Sequence, residues 1–444
     1  MGHHFRLNEF HAFVVVDALI GTTAVTRLQI DVSQLSILIA RNFATFISTN
    51  PSFHHLVLGG ISASSDIAVT DCLLDAAANN GTMRQLSCSD YNVISSASCL
   101  EKNHAYLEEL TMILKDNDDQ GIQIITSERS NEALILEAAY RSLSKLQALR
   151  IVCLTSSTVA PIFFAMVDHP TLNKVDIQVR GQLEGAGFAQ TLKRLICSST
   201  PLQKLKCTFV ADDHGNVPQG VLEAIVPELS EHKSLRHLNF RWRGDLNLIH
   251  AAQAATDIDT LFLSLHKMLC INTCLESMIL DCPCFTECAI LLEALMVNST
   301  LRHLSVQFQM DGFEMSIGQE GFQQFANALP MVPHLKVLHL ELPYGTKYSM
   351  SFRTSLWKAF QFNRTLTGSR VVSGSIIVSG TVINDMVVKD TLDFYNCRNS
   401  FSALLASAAY MVTFFPGIPD SNAGLSVIFD TLRNRHDWFQ ELRH

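Results

Sequence analysis

The stretch Leu335-Lys336-Val337-Leu338-His339-Leu340 decides the fold. It reads as an apolar residue, two variable positions, an apolar residue, one variable position and a third apolar residue. Successive side chains of a strand point to opposite faces, so the last two leucines share one face and their neighbours the other. The same phrase recurs upstream as Leu301-Leu304-Val306, Leu275-Met278-Leu280, Leu235-Leu238-Phe240, Leu202-Leu205-Cys207 and Leu172-Val175-Ile177. Earlier still come Leu146-Leu149-Ile151, Leu107-Leu110-Met112, Met83-Leu86-Cys88 and Phe53-Leu56-Leu58, with weaker copies near Leu28-Ile30 and Leu366-Val371. The spacing between centres, roughly 24 to 40 residues, is that of a solenoid repeat.

Between the phrases the period changes. Ala186, Phe188, Ala189, Leu192, Leu195 and Ile196 recur at helical spacing, as do Leu222, Ile225, Val226 and Leu229. Asn, Ser, Pro or His commonly closes each helix, as in Asn298-Ser299-Thr300 and His169-Pro170. The unit is strand, loop, helix, loop. One unit cannot bury its apolar side, but a stack buries a continuous core. Strands sit about 4.8 Å apart and packed helices about 8–10 Å, so a stack bends toward its strands. The expectation is a right-handed α/β solenoid of about ten to twelve repeats over residues 22–375. A parallel sheet lines its concave side and helices its convex side. Residues 1–21 are expected to form an N-terminal cap, and 376–444 a C-terminal cap of short strands and helices.

The Leu-x-x-Leu-x-Leu phrase with an intervening helix resembles the leucine-rich repeat, specifically the long ribonuclease-inhibitor-like type. Leu183-Glu184-Gly185-Ala186 followed by Thr191-Leu192, and Gly318-Gln319-Glu320-Gly321-Phe322 followed by Ala326-Asn327-Ala328-Leu329, are similar to that family's passage from strand to helix. Family repeats place Asn or Cys three positions after the last apolar residue. Here Ile61, Tyr91, Arg180, Val210, Arg243, Pro283, Gln309 and Pro343 stand there instead. That ladder is missing, so an uneven horseshoe with variable loops is expected.

Composition narrows the class. Hydrophobic residues make up 48% of the 444, which excludes a disordered chain. The net charge of −9 argues against nucleic acid as the main partner. Phe13 to Val16 is too short for a secretory core, and no apolar run reaches the roughly 20 residues a membrane span needs. A cytoplasmic chain with reduced thiols and no membrane partner is the expectation. Asn80-Gly81-Thr82, Asn298-Ser299-Thr300 and Asn363-Arg364-Thr365 match the glycosylation triplet, which has no consequence without export.

Three local patterns invite chemistry. Cys270, Cys274, Cys282, Cys284 and Cys288 crowd a short stretch and are a weak zinc candidate, because their spacing forms no paired Cys-x-x-Cys knuckles. Buried thiols are the alternative. Asp116-Asn117-Asp118-Asp119-Gln120-Gly121 imitates a calcium loop, but Ser127 occupies the place of its bidentate Glu. Gly185-Ala186-Gly187 lacks the third glycine of a dinucleotide fingerprint, where Gln190 stands. No cofactor is expected.

The concave wall remains. Its inward positions are Arg150, Lys174, Asp176, Lys204, Lys206, His237, Asn239, Arg241, His303, His339 and Glu341, with Trp242 nearby. The basic middle, Arg150 to Arg241, suits an acidic protein partner. The expected role is a non-enzymatic protein-binding or scaffold module. By analogy of fold, the resemblance also admits an activator of a small GTPase or a substrate adaptor in ubiquitin transfer.

Overall fold

The structure, a computed structural model, describes residues 9–20, 22–60, 64–91, 106–114, 131–153, 156–180, 186–210, 219–243, 256–282, 285–308, 319–342 and short stretches between 359 and 382. Its frame is one sheet of twelve strands in chain order. The first six are β1 (Arg27–Asp31), β2 (His55–Gly59), β3 (Gln85–Tyr91), β4 (Glu109–Leu114), β5 (Ala148–Cys153) and β6 (Lys174–Arg180). The others are β7 (Lys204–Val210), β8 (His237–Arg243), β9 (Ser277–Cys282), β10 (His303–Phe308), β11 (Val337–Leu342) and β12 (Gly368–Ser373). Every pairing is parallel and joins chain neighbours. A separate antiparallel pair follows, β13 (Ile377–Val378) with β14 (Thr381–Val382). The rest of the expected C-terminal cap lies outside the described residues.

The repeated phrase is the register. Its second apolar residue runs Leu28, Leu56, Leu86, Leu110, Leu149, Val175, Leu205, Leu238, Met278, Leu304 and Leu338 from strand to strand, ending at Ser369. From Leu56 to Leu338 these residues are buried. A slip of one residue would turn each strand's apolar set to the other face, so burial holds the register.

Helices fill the intervals: α1 (Glu9–Leu19), α2 (Ile37–Thr49), α3 (Ser64–Asn79), α4 (Asn131–Arg141) and α5 (Ser156–Met166), then α6 (Ala186–Cys197), α7 (Gln219–Glu231), α8 (Thr256–Ile271), α9 (Phe285–Val297) and α10 (Gln319–Ala328). Their apolar stripes join the buried strand residues in one core. Phe163 of α5, Phe188 of α6 and Phe209 of β7 continue it across helix and sheet, with ring centroids 5.8 and 6.4 Å apart. Where α10 meets α9 the approach is close. A Cβ on Gly321 would lie 2.2 Å from Thr286 Oγ1 and 2.7 Å from its backbone nitrogen.

The turns from helix to strand carry a side-chain ladder. Asn298 Nδ2 donates to Leu269 O at 2.7 Å and Asn272 O at 2.8 Å, while its Oδ1 accepts from Thr300 N and Leu301 N. Asn272 repeats the pattern one unit earlier, donating to Leu229 O and accepting from Cys274 N and Leu275 N. Asn50, Asn80 and Asn363 occupy the same place. His169 and His232 stand in for Asn, their Nδ1 atoms accepting from turn amides just ahead of the next strand. The backbone groups that the missing family ladder leaves open on one margin thus have a counterpart, satisfied by side chains, on the other. Asn80, Asn298 and Asn363 of the glycosylation triplets are buried here, with their amide nitrogens in these bonds.

Candidate functional site

Among the described residues one sheet face is covered by helices and no element covers the other, along which three rungs of side chains run. The first rung passes Ala148, Lys174, Lys204, His237, Ser277, His303 and Val337. The second passes Arg150, Asp176, Lys206, Asn239, Ile279, Ser305 and His339. The third carries Arg241 on β8, then Asp281, Gln307 and Glu341. Alternation therefore brings together all but one of the expected inward residues. The exception is Trp242, which pairs with buried Phe209, in the parity opposite to Arg241. The Trp242 side chain lies outside the described residues.

The basic middle is not uniformly bare. Asp176 lies between two cations on its own rung, with Arg150 Nε at 3.6 Å and Lys206 Nζ at 3.0 Å. Its side chain is only 17% exposed, against 53% for Arg150 and 33% for Lys206, so the carboxylate draws both cations down onto the sheet. Arg241 reaches across β9 to donate to Gln307 Oε1 at 3.3 Å. Sequence reading misses these three pairings because the partners stand 26 to 66 residues apart. The register alone makes them neighbours.

Lys174 and Lys204 differ. They are adjacent on the first rung, both exposed, and among the described residues neither makes an ion pair. Exposed His237 follows on the same rung. Two ammonium groups and an imidazole therefore face solvent in line, with strand spacings of about 4.8 Å between them.

Toward β11 the face becomes histidine-rich. The His303 and His339 rings meet edge to face, with centroids 5.0 Å apart. Burial, then His339 and His237, pulls His303 below the ordinary imidazole range.

The cysteine stretch does not converge within the described residues. Cys270 ends α8, Cys274 follows in the turn and Cys288 is buried in α9. The Cys282 and Cys284 side chains lie outside the described residues, as does the calcium-like loop from Asp116 to Ser127. Among the described residues no group of three or more His, Cys, Asp or Glu side chains is placed to hold a metal ion. No described helix is long and apolar enough to cross a membrane. Ala186 opens α6, whereas Gly185 is outside the described residues.

No protein-family model matches this chain, and no curated protein matches it. Among solved structures, a chain in the crystal structure of the yeast Rad7 and Elc1 complex is similar over 77% of this chain and 83% of that one. Identity is 14% and the TM-score 0.34, a likeness that carries no argument about this protein's function.

Proposed function

We propose that the chain is a non-enzymatic docking module of the cytoplasm, a right-handed horseshoe of the ribonuclease-inhibitor-like type. Its open sheet face is the concave side, and that face receives an acidic segment of another protein. The observation that carries this reading is the exposed line Lys174, Lys204 and His237 on a protein whose net charge is −9. Bare cations in register on a rigid sheet are preorganised for carboxylates, and a like-charged partner is repelled everywhere else. Arg150 and Lys206 support the line, sharing Asp176 between them while keeping part of their surface in water.

The test is binding of a labelled aspartate-rich peptide to the full chain, followed by fluorescence anisotropy. Lys174→Glu with Lys204→Glu is expected to weaken binding at least about tenfold and to flatten its dependence on salt. Equal binding by the double variant, with an unchanged thermal melt, refutes the assignment. Nothing among the described residues favours a GTPase activator or a ubiquitin-transfer adaptor over plain docking.

A further inference from the structure

The far end of the open face adds something to the lysine rung. His237, His303 and His339 come there from β8, β10 and β11. His237 and His303 share a rung with Ser277 between them, two strand spacings or about 10 Å apart. His303 Nε2 is buried and makes no hydrogen bond among the described residues.

The charged and titratable groups that face His303 are few. From β8 they are His237 and Arg241, from β9 Asp281, and from β11 His339 and Glu341. Its own strand contributes only Ser305 and Gln307. Arg241, Asp281 and Glu341 stand on the third rung, four residues or about 13 Å further along the strands than His303. Arg241 is occupied by Gln307, and Asp281 is buried. No acid stands beside His303 on its own rung.

We infer that His303 and His339 are a proton-dependent extension of the lysine rung, which grips a carboxylate of the same acidic segment once the imidazoles are charged. The inference rests on the docking reading above and adds a condition to it: docking tightens as the medium acidifies. In the unliganded chain the ring is held neutral by burial and by its two histidine neighbours. A proton therefore arrives only below about pH 6.5. When it arrives, the ring carries a full positive charge at the end of the lysine rung, and that charge attracts the carboxylates of the segment. By linkage, the ligand that prefers the charged ring also draws the proton on.

The aspartate-rich peptide is the suitable probe, because aspartate carboxyls stay ionised at about pH 5.5. Its affinity for the full chain is expected to rise about tenfold between about pH 7.5 and 5.5. His303→Gln with His339→Gln should bind as the wild type does at the higher pH and show a clearly smaller rise. Each single variant should lose part of it. A flat profile in the wild type, with binding present throughout, overturns this inference and leaves the docking reading standing. A rise of undiminished size in the double histidine variant overturns it as well. Absence of binding at every pH removes the docking reading and this one together. Circular dichroism at each pH keeps loss of fold separate from loss of affinity.

Discussion

Asn298 shows how much one residue can hold in a repeat protein. Its amide closes two carbonyls of the preceding unit and its oxygen closes two amides of its own. Replacement by alanine removes all four bonds, three of them buried and that of Thr300 N partly so. Since each unsatisfied buried group costs about 1–3 kcal/mol with partial relaxation, Asn298→Ala should lower stability by about 2–4 kcal/mol in urea denaturation. His232 fills the same place with a different chemistry. Its Nδ1 must be an acceptor for Ser234 N and Leu235 N, which requires the neutral ring. Burial accordingly pulls its pKa below the ordinary imidazole value. A depressed histidine contributes stability that is present above its unfolded value of about 6.5 and lost as pH falls through the folded one. His232→Asn keeps the acceptor without the proton, so its stability should fall less steeply than that of the wild type below about pH 6.5. Parallel denaturation series across that range would check this; equal slopes would contradict it.

At the scale of the element, the strands were legible throughout and the turns only in part: Asn298 and His169 stand out as closing residues, but not the bonds they make. A strand with one buried face writes its register into the sequence at a period of two, and the repeated phrase marks which leucine lies opposite which. The ladder has no such signature. Its requirement is a short acceptor at a fixed place, and Asn50, Asn80, His169, His232, Asn272, Asn298 and Asn363 meet it with two residue types. A reader looking for one letter, at the family's usual position, sees an absence. Helix packing is equally silent in sequence, and Gly321 is the case in point. Alanine there should improve helix propensity by about 1 kcal/mol, but its methyl would meet Thr286 backbone, which cannot swing away. Overpacking of that kind costs about 1–3 kcal/mol. Gly321→Ala is therefore expected to lower the melting temperature, and Thr286→Ala alone should not rescue it, because the backbone nitrogen remains in the way.

Over the whole molecule, the sign of each charge on the open face was readable, but its availability was not. Lys204 and Lys206 look equivalent in sequence; only the register shows that Asp176 occupies one of them. The candidate site is accordingly narrower than the basic stretch that announces it. The repeat length is uneven for a reason of the same kind. On the margin where the ladder runs, the closing Asn or His stands five positions ahead of the strand's first residue, as Asn298 before His303 and His169 before Lys174. Between a strand and the next described helix lie from two residues, as at 283–284, to sixteen, as at 115–130. Length is thus a free variable on one margin of the sheet and a fixed one on the other. A descendant of this gene could gain a dozen residues after a strand and keep every rung in step, yet a single codon inserted before one would unseat the turn that fastens it to its neighbour.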